Sequence, residues 1–199
     1  RMVWKLERNE LIIPGLEIIP DCSEKVPWEE GKDSIQSISF KRGVKEIGNF
    51  TFCNLPKLKE VKHHPDLKRI RGGAFKDCTQ LKTIFNPDSV TFIRASAFEN
   101  CSNLKIVQLP NNLKEIRNWT FINCKNLQAI NLDGVSSIAD DAFTSTQIQT
   151  QNTTKIDENT EFFCQIGRKH LNVDDNRAFK TLRHTFETTK REYAPWDAL

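Results

Sequence analysis

Apolar residues return at one spacing along most of this chain. The stretch IRASAFENCSNLKIV, residues 93 to 107, has counterparts in IGNFTFCNLPKLKEV from Ile47, IRGGAFKDCTQLKTI from Ile70 and IRNWTFINCKNLQAI from Ile116, with a degenerate fifth, IADDAFTSTQIQ, from Ile138. The starts lie 23, 23, 23 and 22 residues apart. A fixed period of roughly 20 to 29 residues marks a solenoid, in which each repeat is one coil that cannot bury its apolar face alone and is completed by its neighbours. The chemistry of any single residue is then secondary to its column in the stack.

The register runs unbroken from Ile35. Ile35, Ile38, Phe40 and Val44 occupy the positions later taken by Leu58, Val61, His63 and Leu67, then by Leu81, Ile84, Asn86 and Val90, by Leu104, Val107, Leu109 and Leu113, and by Leu127, Ile130, Leu132 and Val135. Within Leu104 to Leu109 an i, i+3 step is followed by an i, i+2 step, so the final pair is strand-like, and these short strands are expected to stack as a parallel sheet. The other half of each coil places apolar residues at i, i+1 and i+4, which predicts about one helical turn. A small residue leads it (Thr51, Ala74, Ala97, Thr120, Ala142) and a phenylalanine follows. Phe52, Phe75, Phe98, Phe121 and Phe143 are expected to form a continuous spine of rings in the core.

The two ends depart from this template. Residues 1–34 carry Trp4, Leu11, Ile12, Ile13, Leu16, Ile18, Ile19 and Trp28, an apolar density that suits an N-terminal cap over the first coil. Pro14-Gly15 predicts the turn of a hairpin lying there. Residues 35–149 hold about five coils, and the pattern then decays through a polar run from Thr144 to Thr154. In the C-terminal extension, 150–199, Phe162 to Gly167 suits a strand. Asp174-Asp175 suits the N-cap of a helix with Phe179, Leu182, Phe186 and Tyr193 on one face, ending before Pro195. That helix is read either as a C-terminal cap or as a docking element.

The repeat I-x-x-x-A-F-x-x-C-x-x-L-x-x-I, with Leu109-Pro110 after it, resembles the BspA-type leucine-rich repeat family. So does the lead-in of Pro20-Asp21, Pro27-Trp28, Asp33-Ser34-Ile35 and Gly43-Val44-Lys45-Glu46-Ile47-Gly48. The resemblance covers about residues 10 to 149. His63 and Asn86 depart from a column that is otherwise Phe or Leu, and Leu55 stands where Cys is expected. With the column pattern, it leads to an α/β solenoid as the expected fold: a right-handed coil stack with a parallel sheet on the concave face, short helical turns opposite, and terminal caps. The resemblance implies a non-enzymatic recognition module, often on or outside the cell in bacteria and protists, that binds host proteins, matrix or other cells.

Composition narrows the partners. With 29 basic and 26 acidic residues, the net charge of +3 gives no long-range field that argues for nucleic acid or an anionic membrane. The longest apolar runs, Leu11 to Ile13 and Leu16 to Ile19, fall far short of the roughly 20 residues a spanning helix needs, so no membrane insertion is expected. Arg1 to Lys5 has neither the basic nor the apolar region of a secretory signal. Met2 reads either as an initiator behind a cloning remnant or as part of a mature fragment. Localisation leans to the cell surface on the resemblance, with a cytoplasmic alternative because no signal is visible. Of the six cysteines, Cys78, Cys101 and Cys124 share one column, where parallel side chains about 4.8 Å apart do not face one another as a disulfide requires. They are expected to be buried reduced thiols that pack as small hydrophobes.

Candidate chemistry is sparse. If Ile84 and its equivalents point inward, two rows point out of the sheet. One is Ser37, Glu60, Thr83, Ile106 and Ala129; the next is Ser39, Lys62, Phe85, Gln108 and Asn131; and Lys59, Lys82 and Lys105 border them. Phe85 and Ile106 beside three lysines form the candidate partner-binding patch, because hot spots combine apolar anchors with a charged surround. Arg71, Arg94 and Arg117 form a second ladder, expected to be a solvated edge paired with nearby acids. His63-His64-Pro65-Asp66 lacks zinc-type spacing and reads as a turn. No catalytic or phosphate-binding motif is present, Glu29-Glu30, Asp140-Asp141 and Asp174-Asp175 are too adjacent to flank a substrate, and no cofactor is expected. The sequons at Asn49, Asn100, Asn118 and Asn152 matter only in a eukaryotic secretory pathway. The primary expectation is a protein partner held on the concave sheet. A structural part of a larger intracellular assembly, attached through the C-terminal helix and tail, is the alternative, and an enzyme seated in residues 150–199 ranks last.

Overall fold

The structure, a computed structural model, describes residues 4–22 and 26–148. The chain divides into two compact units, residues 1–156 and 157–199, and the described residues belong to the first. The strand expected at residues 162–167 and the helix expected after Asp174-Asp175 lie outside them.

Each coil contributes two short strands. The first series is β2 (Glu10–Ile13), β4 (Ser37–Phe40), β6 (Glu60–Lys62), β8 (Thr83–Phe85), β10 (Ile106–Gln108) and β12 (Ala129–Ile130). The second is β3 (Ile18–Ile19), β5 (Glu46–Ile47), β7 (Arg69–Ile70), β9 (Phe92–Ile93), β11 (Glu115–Ile116) and β13 (Ser137–Ile138). Within each series the paired strands are parallel and in step with the repeat, Val107 beside Ile84 and Ile130, Ile70 beside Ile47 and Ile93. The first series is interrupted between β6 and β8 and the second between β9 and β11, giving separate sheets along the stack. The expected parallel sheet is present. The second series, built on the isoleucine that opens every repeat, was not anticipated, because two residues are too few to show alternation.

The helical turns expected opposite the sheet are replaced by irregular turns. Phe52, Phe75, Phe98 and Phe121 donate their N–H to Ala74, Ala97, Thr120 and Ala142 of the following coil at 2.8–3.0 Å. An α-helix would spend those donors on carbonyls four residues back in the same segment. Asn54, Asp77, Asn100 and Asn123 close the segments at φ of 55° to 62°, a left-handed conformation that Asn and Asp tolerate and that ends helical winding. Their side chains stack as well, with Asn123 donating to Asn100 at 2.8 Å and Asn100 to Asp77 at 2.6 Å. The only regular helix among the described residues is a 3-10 segment, Glu29–Ser34.

The N-terminal hairpin is turned elsewhere than Pro14-Gly15. β1 (Lys5–Glu7) pairs antiparallel with β2 across Arg8 and Asn9, both at positive φ (48° and 68°), as tight hairpin turns require. Pro14-Gly15 is instead the corner between β2 and β3, and both strands pair in parallel with the next coil, Leu11 beside Ile38 and Ile19 beside Ile47. A side chain on Gly15 would meet the Arg42 carbonyl oxygen at 2.1 Å, so one coil's backbone rests on another here. Residues 10–19 thus run as a coil in register with the repeats.

The core is the predicted ring spine, extended by one member. Trp28 stacks on Phe52 at 5.1 Å between centroids, followed by Phe75, Phe98, Phe121 and Phe143 at 5.6, 5.6, 5.5 and 5.4 Å, with all successive planes within 19°. Five of these rings are essentially inaccessible, and Phe143 is 5% exposed. Burying each is worth about 1.5–3 kcal/mol. Cys78, Cys101 and Cys124 are buried and unpaired. Each thiol points back to the carbonyl of a spine residue one coil earlier, Phe52, Phe75 and Phe98, at 3.1, 3.2 and 3.2 Å. Burial pushes the Cys78 and Cys124 thiols up to about 12 and Cys101 well above its ordinary value. They are inert as nucleophiles and act as packing atoms with a weak donor.

Candidate binding surface

The expected outward rows exist. Strand register aligns Ser37 with Glu60 and Thr83 with Ile106 and Ala129 in one row, and Ser39 with Lys62 and Phe85 with Gln108 in the next. Ile38, Val61, Ile84, Val107 and Ile130 between them are buried, which turns the rows to the other face because side chains alternate along a strand; within the rows Ser39 and Ala129 are themselves buried. Glu60, Lys62, Thr83, Phe85, Ile106, Gln108 and Asn131 are half-buried, and Lys59, Lys82 and Lys105 are exposed.

Electrostatics divides the face along the stack. Near the first coils Lys62 is matched by acids, 3.7 Å from Glu10 and 3.9 Å from Glu60, while Lys59 donates to the neutral amide of Gln36 at 3.2 Å. Further along, Lys82 and Lys105 form no ion pair among the described residues. Their backbones are linked, Lys105 N–H donating to Lys82 carbonyl at 2.8 Å and Lys82 N–H to Lys59 carbonyl at 3.4 Å, so the three like charges are held in file. Asn131 is tied to the neighbouring coil. Its amide is spent on Leu109, accepting from the N–H at 2.5 Å and donating to the carbonyl at 2.9 Å, which makes it a staple between strands.

The arginine ladder is paired with acids, as expected, at two of its three positions. Glu46, buried, is held by Arg71 and by Arg69 at 3.7 Å, and Arg71 also lies 3.8 Å from Asp21. Arg117 pairs with Glu115 at 2.8 Å and stands 5.0 Å over the Phe92 ring. Arg94 forms no ion pair among the described residues, and its charge helps hold the Asp21 carboxyl below the usual range, behind the larger effect of hydrogen bonds from Asn49.

The histidine pair separates by environment. His64 Nδ1 accepts from Asp66 N–H at 3.2 Å and faces its carboxylate at 3.4 Å. His63 turns inward, stacked on Phe40 at 5.6 Å with nearly parallel planes, and edge-on to Phe75 at 5.9 Å. Both its ring nitrogens are buried without partners, as is Asn86 Oδ1 in the same column. Among the described residues no His, Cys, Asp and Glu cluster suits a metal ion.

Two exposed aromatics were missed. Phe50 (45% exposed) and Trp119 (49%) occupy left-handed positions at φ 54° and 58°, in the column of Gly73 and Ser96. The only available signal was a bulky ring where neighbouring coils place a small residue. Phe50 is explained by packing, because its ring lies over Gly73, where a side chain would approach within 2.3 Å.

A family model for the BspA type leucine-rich repeat region matches residues 30–149 in six copies. The chain belongs to the BspA-type leucine-rich repeat family. Among solved structures, a leucine-rich cell surface protein from Faecalibacterium prausnitzii is similar at 24% identity and a TM-score of 0.54, covering 70% of this chain and 35% of that one. The Treponema pallidum leucine-rich repeat protein is similar at 21% identity and a TM-score of 0.48, over 72% of this chain and 86% of that one. The first likeness supports the solenoid fold, and the chain spans about a third of that protein's length. No curated protein matches the chain. No helix among the described residues is long and apolar enough to cross a membrane.

Proposed function

We propose that this BspA-type repeat region is a non-enzymatic recognition module that binds a protein partner through the outward rows of the first sheet series. The observation that carries the reading is the lysine file. Stacked like charges in neighbouring strands oppose each other, and Lys59, Lys82 and Lys105 form no ion pair among the described residues. An acidic partner surface would relieve that repulsion on binding, while Ile106, Thr83 and Gln108 beside the file offer an apolar and hydrogen-bonding centre. Charge complementarity of this kind speeds association and selects against basic partners. The F. prausnitzii relative is described as a cell surface protein, and we place this module in that setting too, where such a face meets other cells or matrix.

The test is charge reversal, K59E/K82E/K105E, compared with wild type for capture of extracellular and cell-surface proteins, with circular dichroism as the folding control. Loss of the captured partner by about tenfold or more in affinity, with the fold retained, is expected. A folded variant that captures the same protein equally well contradicts the reading.

A further inference from the structure

Two cysteines are unaccounted for by packing. Cys53 occupies a column that carries Lys76, Glu99 and Ile122 in later coils, so nothing in the turn demands a thiol there. Cys22 lies on the segment leading out of β3. Both are half-buried, unlike the three column thiols.

The fold fastens their two segments together. The Asp21 carboxylate accepts from the Asn49 backbone N–H at 2.7 Å and its side-chain amide at 2.8 Å, and the Thr51 hydroxyl donates to the Pro20 carbonyl at 2.9 Å. Cys22 N–H itself donates to the Asn49 carbonyl at 2.9 Å, and Cys53 N–H returns to Phe50 at 3.2 Å. The turn that carries Cys53 therefore folds back beside the point where Cys22 is tied. Burial is the main cause holding the Cys53 thiol above its ordinary value, and Cys22 is near enough to be the next.

We propose that Cys22 and Cys53 are a redox-responsive dithiol that closes to a disulfide, with a small-molecule disulfide of the glutathione type as oxidant. One protein thiolate attacks a glutathione sulfur and expels a glutathione thiolate. The second protein thiolate attacks the protein sulfur of the mixed disulfide and expels the other. The two protein protons end on two glutathione thiols, and the two electrons reduce one glutathione disulfide. The closed loop contains Trp28, β4 and β5, so the bond locks the first coil and the first ring of the spine onto the next coil. Its stabilisation acts chiefly by restricting the unfolded chain.

The experiment equilibrates the full chain in native buffer with reduced and oxidised glutathione, traps the thiols and maps non-reduced peptides by mass spectrometry. A peptide joining Cys22 to Cys53 is expected, together with a Tm raised by roughly 5 °C or more that dithiothreitol reverses. The variants C22S and C53S are expected to carry one glutathione on the remaining member of the pair and to show no Tm rise. The inference is overturned if wild type carries separate glutathiones on Cys22 and Cys53, if either links to Cys164, if neither reacts, or if the joined peptide forms only in urea.

Discussion

Phe98 stands between two rings at 5.6 and 5.5 Å, with a thiol bonded to its own carbonyl. Phe98→Ala removes a ring from the middle of the file and leaves a void that both neighbours line. A loss of about 3–5 kcal/mol is expected, read as a lowered urea midpoint. His63 shows the opposite case, a polar residue, like Asn86, in a column that otherwise holds Phe40, Leu109 and Leu132. Burial pushes its pKa from the usual 6.5 down to about 3, so the folded chain binds fewer protons than the unfolded chain between those values. Stability from this residue is intact above about pH 6.5 and is lost as pH falls toward 3, by up to about tenfold in the folding constant per unit. Among the described residues no charged group acts on the ring, whose neighbours are Phe40 and Phe75, and the titratable residues beside it, Lys62 and His64, face outward or pair with Asp66. His63→Leu should raise stability at pH 7 by about 1 kcal/mol and remove that part of the pH dependence. Urea midpoints at pH 7 and pH 4.5 that shift equally in variant and wild type would contradict this.

At the scale of elements, the turn after each phenylalanine shows where sequence reading went astray. Apolar residues at i, i+1 and i+4 satisfy a helical period, but the period carries no information about where the backbone donors go, and these donors go to the next coil. The left-handed Asn54, Asp77, Asn100 and Asn123 were the legible sign, since an Asn or Asp recurring at one position tolerates positive φ and can ladder. Asn100 makes two such side-chain bonds. Asn100→Ala should cost about 2–3 kcal/mol, because it loses both bonds and the short polar side chain that makes the left-handed conformation tolerable. Asn100→Gly, which keeps the conformation, should cost less by about 1 kcal/mol, and equal costs would remove the conformational part of the argument. By contrast, the phenylalanine spine, the buried thiol column and the strands of the first series from β4 onward were legible, because each depends on a residue type or class repeating at a fixed offset. The column position of Asn131 was legible in the sequence, but its bonds to the Leu109 backbone depend on the assembled coils.

For the whole described unit, coil-to-coil contacts dominate, so stability is expected to behave as a sum over neighbours. The spine, thiols and inward rows say little about function. What distinguishes the faces is charge: the arginine ladder is offset by Glu46, Asp21 and Glu115, while Lys59, Lys82 and Lys105 beside Ile106 form no ion pair among the described residues. The register legible in the sequence put Lys59, Lys82 and Lys105 in file, but whether each finds an ion pair is a property of the assembled coils. The most direct measurement is deuterium exchange of the full chain with and without the captured partner. Protection confined to residues 59–62, 82–85 and 105–108 is the predicted result, and protection of the segments around Arg71, Arg94 and Arg117, with the lysine strands unchanged, would contradict the assignment of the binding face.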